Sequence, residues 1–109
     1  MLNSCNFAGR LVDDPKLFDG KNPRACFTLA VDRDFIRDDD KADYFDFVAW
    51  NERAEYIVRH FRKGDMVLVS SRAKVRAYED SNGARKRKTE FEAERIYCIC
   101  RSRENVDEQ

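Results

Sequence analysis

The sequence predicts an all-β fold, a closed barrel of five strands with one helix between the third and fourth strands. Three observations carry that reading: stretches in which apolar and polar residues alternate, a single change of period near the middle of the chain, and an Asn-Gly pair separating the last two stretches. The 109 residues suit one domain, and 42% hydrophobic against 39% charged residues supplies one core inside a heavily charged surface.

The first strand is expected from Asn3 to Val12, with Cys5, Phe7, Gly9 and Leu11 alternating, and Asp13-Asp14-Pro15 stops it. Phe18 to Pro23 reads as a turn. The run Ala25 to Asp32 sets Phe27, Leu29 and Val31 on one face and Cys26, Thr28 and Ala30 on the other. A third strand, Asp43 to Trp50, carries Phe45, Phe47 and Ala49 on one side and Tyr44, Asp46, Val48 and Trp50 on the other, so both faces hold aromatics.

From Asn51 the period changes. Ala54, Ile57, Val58 and Phe61 fall three and four apart, one stripe of a helix of about three turns. Lys63-Gly64 is expected to end it, because glycine tolerates the left-handed conformation just past a helix end. In the fourth strand, Met66 to Glu79, Val67, Val69, Ser71, Ala73, Val75 and Ala77 share one face, while Arg72, Lys74, Arg76 and Tyr78 share the other. Asp80-Ser81-Asn82-Gly83 makes the turn. The return strand, Arg87 to Ile99, points Thr89, Phe91 and Ala93 inward, and a bulge near Arg95 restores the parity of its second half. Three strands, a helix and a long hairpin is the element order of an OB barrel. Residues 1–100 are expected to form it, with 101–109 a short charged end that frays.

Basic and acidic residues number 21 each, so net charge says nothing about a partner. Its distribution does: Arg72 to Lys88 holds seven basic and two acidic residues, whereas residues 1–50 hold seven and ten. No run is apolar enough to span a membrane, and Met1-Leu2-Asn3-Ser4 lacks the start of a signal peptide, which predicts a cytoplasmic protein. Cys5, Cys26, Cys98 and Cys100 form no Cys-x-x-Cys pair and are expected to be buried, reduced thiols.

Catalytic chemistry is thinly supplied. His60 is the sole histidine and has no nucleophile at a recognisable spacing. Asp32, Asp34, Asp38, Asp39 and Asp40 resemble a calcium loop only at first sight, since Ile36 takes a ligand position and no glycine follows. No glycine-rich phosphate loop is present. No cofactor, metal or enzymatic activity is expected.

Arg72, Lys74, Arg76 and Tyr78 in alternate positions offer cations for phosphates and a flat ring for an unpaired base, which is what a nucleic-acid single strand requires. The same alternation also describes the solvated side of any half-buried sheet. Tyr44 and Trp50, opposite the apolar Phe45-Phe47-Ala49 set, strengthen the binding reading, although a two-sided strand would use them for core or subunit contacts. Phe35, in a loop full of charge with little core to enter, fits either a binding ring or a loop anchor.

In these stretches the chain resembles the bacterial and phage single-stranded DNA-binding proteins, over roughly residues 2–99. The resemblance is carried by Gly9-Arg10-Leu11 with Asp14-Pro15, Phe27-Thr28-Leu29-Ala30-Val31, Asp43-Tyr44, Val48-Ala49-Trp50, Ala54-Glu55, Lys63-Gly64-Asp65, Arg76-Ala77-Tyr78-Glu79-Asp80, Asn82-Gly83 and Thr89-Glu90-Phe91. It implies that Phe35, Tyr44, Trp50 and Tyr78 stack on bases, and that Arg33, Arg72, Lys74, Arg76, Arg85, Lys86, Arg87 and Lys88 meet phosphates. It also implies sequence-independent binding and protection of single-stranded DNA in replication, recombination and repair, by an assembly of identical subunits, four in most of the family and two as the alternative.

Three departures shape the expectation. Ser71 stands where the family has glycine, which would alter the bend of the fourth strand. Asp46 would repel phosphates unless an arginine neutralises it. The family's long Gly-, Pro- and Gln-rich tail, whose acidic tip recruits partner enzymes, has no counterpart in 101–109. Two other readings of the barrel remain: a protein-interaction subunit with weak DNA binding, and an RNA-binding module.

Overall fold

The computed structural model of the chain describes residues 1–37 and 40–102, with side chains except those of Phe35, Ile36, Arg37 and Asp40. Six strands and one helix follow in the order β1 (Cys5–Leu11), β2 (Lys16–Phe18), β3 (Arg24–Arg37), β4 (Asp40–Trp50), α1 (Asn51–His60), β5 (Met66–Glu79) and β6 (Arg85–Cys100). The sheet runs β1-β5-β6-β4-β3-β2, and β1 also pairs with β3, so five strands close into a barrel and β2 lies outside the ring on β3. This is the expected OB-type barrel. The helix still precedes the long hairpin but lies between β4 and β5, because Lys16–Phe18, expected at the edge of a turn, forms a short extra strand.

Closure depends on Gly9. A Cβ there would lie 2.7 Å from the carbonyl oxygen of Ala30, so only glycine lets β1 approach β3 this closely. Inside the ring, Phe7, Phe27, Phe45, Phe47 and Phe91 pack ring on ring: Phe27 and Phe47 stack at 5.1 Å, and Phe7 meets Phe47 edge-on at 5.2 Å. Leu11, Leu29, Val67, Val69 and Ala93 fill the remaining space, and α1 closes one end with Ala54, Ile57 and, just past the helix, Phe61.

The helix ends earlier than the glycine suggested. Phe61 is already extended (φ −119°, ψ 143°), because its buried ring must turn under the barrel. Gly64 (φ 91°) belongs to the turn that follows. Asp65, fully buried, holds that turn by accepting the N–H groups of Arg62 and Ser102, both at 3.0 Å, and the Arg101 guanidinium at 3.2 Å. Arg101 also donates to the carbonyl of His60. Arg101 and Ser102 are therefore tied down where the sequence suggested fraying.

The parity change in β6 is a bulge at Glu94: Arg95 faces Ser70 and Ala93 faces Ser71. Ser71 is buried there and donates to the Cys5 carbonyl at 2.8 Å, a bond that a glycine could not supply. The Asn82-Gly83 turn is a three-residue loop, Ser81 to Gly83. Asp80 and Ala84 pair across it, the Asp80 carboxylate accepts from Asn82 and Ala84 at 2.9 Å each, and Gly83 takes φ 80°. All four cysteines are free, but the expectation of burial fails: Cys5 and Cys26 are half-buried, and Cys98 and Cys100 are exposed. Among the described residues no helix is long and apolar enough to cross a membrane.

Candidate nucleic-acid interface

Residues directly opposite one another in a sheet point to the same side, so the register assigns each predicted site residue to a face. On the outer face of β3 and β4, Tyr44 lies opposite Ala30, Asp46 opposite Thr28, Val48 opposite Cys26 and Trp50 opposite Arg24. Val48 is beside Glu92 of β6, and Glu92 faces Arg72 of β5. The same side continues outward through Lys74 opposite Glu90, Arg76 opposite Lys88 and Tyr78 opposite Lys86. Tyr44, Trp50 and Tyr78 are 68%, 38% and 42% exposed, so none is spent in the core. They are stations along a path rather than one platform, for six residues of strand, about 20 Å, separate Tyr44 from Trp50.

Trp50 holds its place because the chain turns sharply after it. Asn51 adopts φ 56°, which asparagine tolerates better than most residues, and its N–H donates to the Pro23 carbonyl at 2.7 Å. The β5–β6 arm then leans over the end of β4, so that Arg24, Val48, Trp50, Lys74, Arg76 and Glu90 line one open concavity of about 240 Å³. A larger one of about 300 Å³, by Thr28 and Phe47, is rimmed by Asp13, Asp14, Asp46 and Glu90 against Lys16 and Lys88. Its surplus of carboxylates disfavours a phosphate, which makes the smaller groove the better seat for a nucleotide.

The cations are not idle in the free protein. Lys74 lies 3.7 Å from Glu92, Arg76 3.8 Å from Glu90 and Lys86 3.4 Å from Asp80. Such long pairs, with exposed cations and half-buried carboxylates, are each worth at most about 1 kcal/mol, so a phosphate can replace the carboxylate. Asp46 is neutralised as required, but by Lys88 at 3.7 Å and a hydrogen bond from Thr28 at 2.8 Å rather than by an arginine.

Three of the predicted cations do not join this face. Arg85 lies opposite Glu79 and Arg87 opposite Ala77, on the other side of the arm, because strand alternation divides Arg85-Lys86-Arg87-Lys88 between two faces. Arg33 alternates away from Tyr44 and binds Asp43 through two hydrogen bonds of 2.7 and 3.1 Å. That hydrogen-bonded guanidinium holds the Asp43 carboxyl below its usual value of 3.8. Phe35 lies in β3 and not in the loop expected there, because β3 runs on to Arg37; its side chain falls outside the described residues, as do Asp38 and Asp39 altogether. The residues that sequence reasoning missed are Phe18 and Arg24. Phe18 was read as part of a turn; the register puts it opposite Arg24, in line with Trp50.

Known proteins resemble the chain along most of its length. The model of the single-strand binding protein family matches residues 2–99. Single-stranded DNA-binding protein A of Bacillus subtilis is 37% identical over 100 residues, covering 88% of this chain and 58% of that protein. Single-stranded DNA-binding protein 2 of Clostridium acetobutylicum is 35% identical over 99 residues, covering 87% and 74%. Single-stranded DNA-binding protein 1 of Streptococcus pyogenes is 35% identical over 110 residues, covering 97% and 84%. The chain thus spans less than two thirds of the Bacillus subtilis relative's length.

Proposed function

The chain belongs to the single-strand binding protein family, and from that premise we propose that it binds and protects single-stranded DNA without reading its sequence, in replication, recombination and repair. The observation that carries the proposal is the groove in which an exposed indole, Trp50, meets Lys74 and Arg76. A base stacked on Trp50 has its phosphates within reach of long basic side chains, and neither contact depends on which base it is. The outer-face set is Tyr44, Trp50 and Tyr78 with Arg72, Lys74, Arg76, Lys86 and Lys88. The same reading makes residues 1–100 the binding domain, assigns the protein to the cytoplasm and gives it no catalytic role.

Self-association, as a tetramer or a dimer, is supported by a second outer face. Across β1, β5 and β6, Ala8 lies opposite Leu68 and Leu68 opposite Tyr97, and Leu68, Tyr97 and Ile99 are 41%, 51% and 57% exposed. An apolar row of this kind suits a copy of the same chain.

Titration with oligothymidine, read by the emission of Trp50, tests the DNA reading. Quenching that saturates and weakens as salt rises is the expected result. For Trp50→Ala, anisotropy of a labelled oligonucleotide should show a loss of about 1–3 kcal/mol. A wild-type protein whose emission and anisotropy do not change with DNA would refute the proposal.

A further inference from the structure

Beyond Trp50, the outer face continues as one cross-strand row: Trp50 of β4, Arg24 of β3 and Phe18 of β2. Arg24 sets its guanidinium over the Phe18 ring, 4.9 Å from the centroid, and its Nε is buried without a hydrogen-bond partner. Attraction between cation and ring holds the guanidinium over Phe18, while the two terminal nitrogens carry four N–H donors. Among the described residues no carboxylate pairs with Arg24, in contrast to Lys74, Arg76, Lys86 and Lys88. A phosphate arriving there displaces nothing. Arg24 also lines the Trp50 groove, so the two residues address neighbouring parts of one bound strand.

We propose that Arg24 is a phosphate-binding residue, positioned by Phe18, that carries bound single-stranded DNA past Trp50 toward the barrel edge made by β2. This rests on the single-strand reading above and adds a contact to it. Phe18 acts through Arg24: its ring is the support, and the guanidinium is the group that meets the strand.

The test is fluorescence anisotropy of a labelled oligothymidine at several salt concentrations, with wild type, Arg24→Gln, Arg24→Lys, Phe18→Ala and the double variant Phe18→Ala/Arg24→Gln. Arg24→Gln keeps a polar side chain of similar reach and removes the charge, so its circular dichroism should match wild type. It should bind several-fold more weakly, with a log-log salt slope shallower by about 0.7, one phosphate contact on a single strand. Arg24→Lys should restore the slope but not the full affinity, since an ammonium lacks the planar fork of donors that a guanidinium offers a phosphate. Phe18→Ala should weaken binding, and the double variant should be no weaker than Arg24→Gln. A wild-type slope in Arg24→Gln overturns the phosphate contact, and additive losses in the double variant overturn the positioning role. A wild type that fails to bind removes the single-strand reading and this contact together, whereas a binding wild type with an unaltered Arg24→Gln removes only the contact.

Discussion

The two halves of the β5–β6 hairpin share one strand pair and one alternation, yet they differ in nearly everything else. In the barrel half, Val67, Val69, Ser71, Ala93 and Ile96 are buried on one side. In the arm half, Lys74 to Thr89, every residue except the half-buried Asp80 is exposed, including Val75 at 63%. The pattern Val67, Val69, Ser71, Ala73, Val75, Ala77 runs through both without a break. Alternation therefore tells which side a residue takes, but not whether anything lies beneath it. The arm is free to serve a ligand because it has no core to protect, and the barrel half holds it in place.

The sharpest way to break this contrast is a pair of truncations. Phe47→Ala removes a ring packed against Phe7, Phe27 and Phe91, and urea unfolding should register a loss of about 3–5 kcal/mol. Val75→Ala should cost no more than about 0.5 kcal/mol, the range of surface substitutions. Equal losses would mean that the arm folds against something in solution.

A smaller effect separates the two faces of the arm. Lys74→Ala, on the Trp50 side, should flatten the salt dependence of oligothymidine binding by about 0.7 on a log-log plot. Arg87→Ala, on the reverse side, should leave that slope at the wild-type value. Identical slopes in the two variants would show that the strand wraps the arm instead of following one face.

The smallest effect concerns the β3–β4 hairpin, where Arg33 lowers the pKa of Asp43. A depressed carboxyl stabilises the fold above its ordinary value of 3.8, and that contribution is lost as pH falls through the lower folded value. In Arg33→Ala, an NMR titration should find the Asp43 carboxyl moved back up toward 3.8, with unfolding near neutral pH almost unchanged because the pair is exposed. A carboxyl that stayed low would mean that Arg33 is not the cause.

Much of this was legible in the residues. Met66 to Glu79 forms one strand with the expected bounds, and of the stripe Ala54, Ile57, Val58 and Phe61, Ala54 and Ile57 are buried on the helix, Val58 is half-buried, and Phe61 is buried just past the helix end. The bulge falls at Glu94, next to the expected position, because a break in parity must be absorbed somewhere along a paired strand. Phe18 and Arg24 could not be read in advance: a three-residue strand has no measurable period, and a pairing between β2 and β3 leaves no local trace. The cysteines depart from expectation because residue type predicts burial only on average.

By itself, then, the sequence determined the succession of the five barrel strands and the helix, the two sides of each of those strands, and the kinds of group available for bases and phosphates, because these follow from spacing along one chain. Only the tertiary structure decided which of those groups meet. Register across non-adjacent strands brings Arg24, Trp50, Lys74 and Arg76 to one groove and sends Arg85, Arg87 and Arg33 elsewhere. Such meetings depend on where the barrel closes, a matter of long-range packing that no local pattern records.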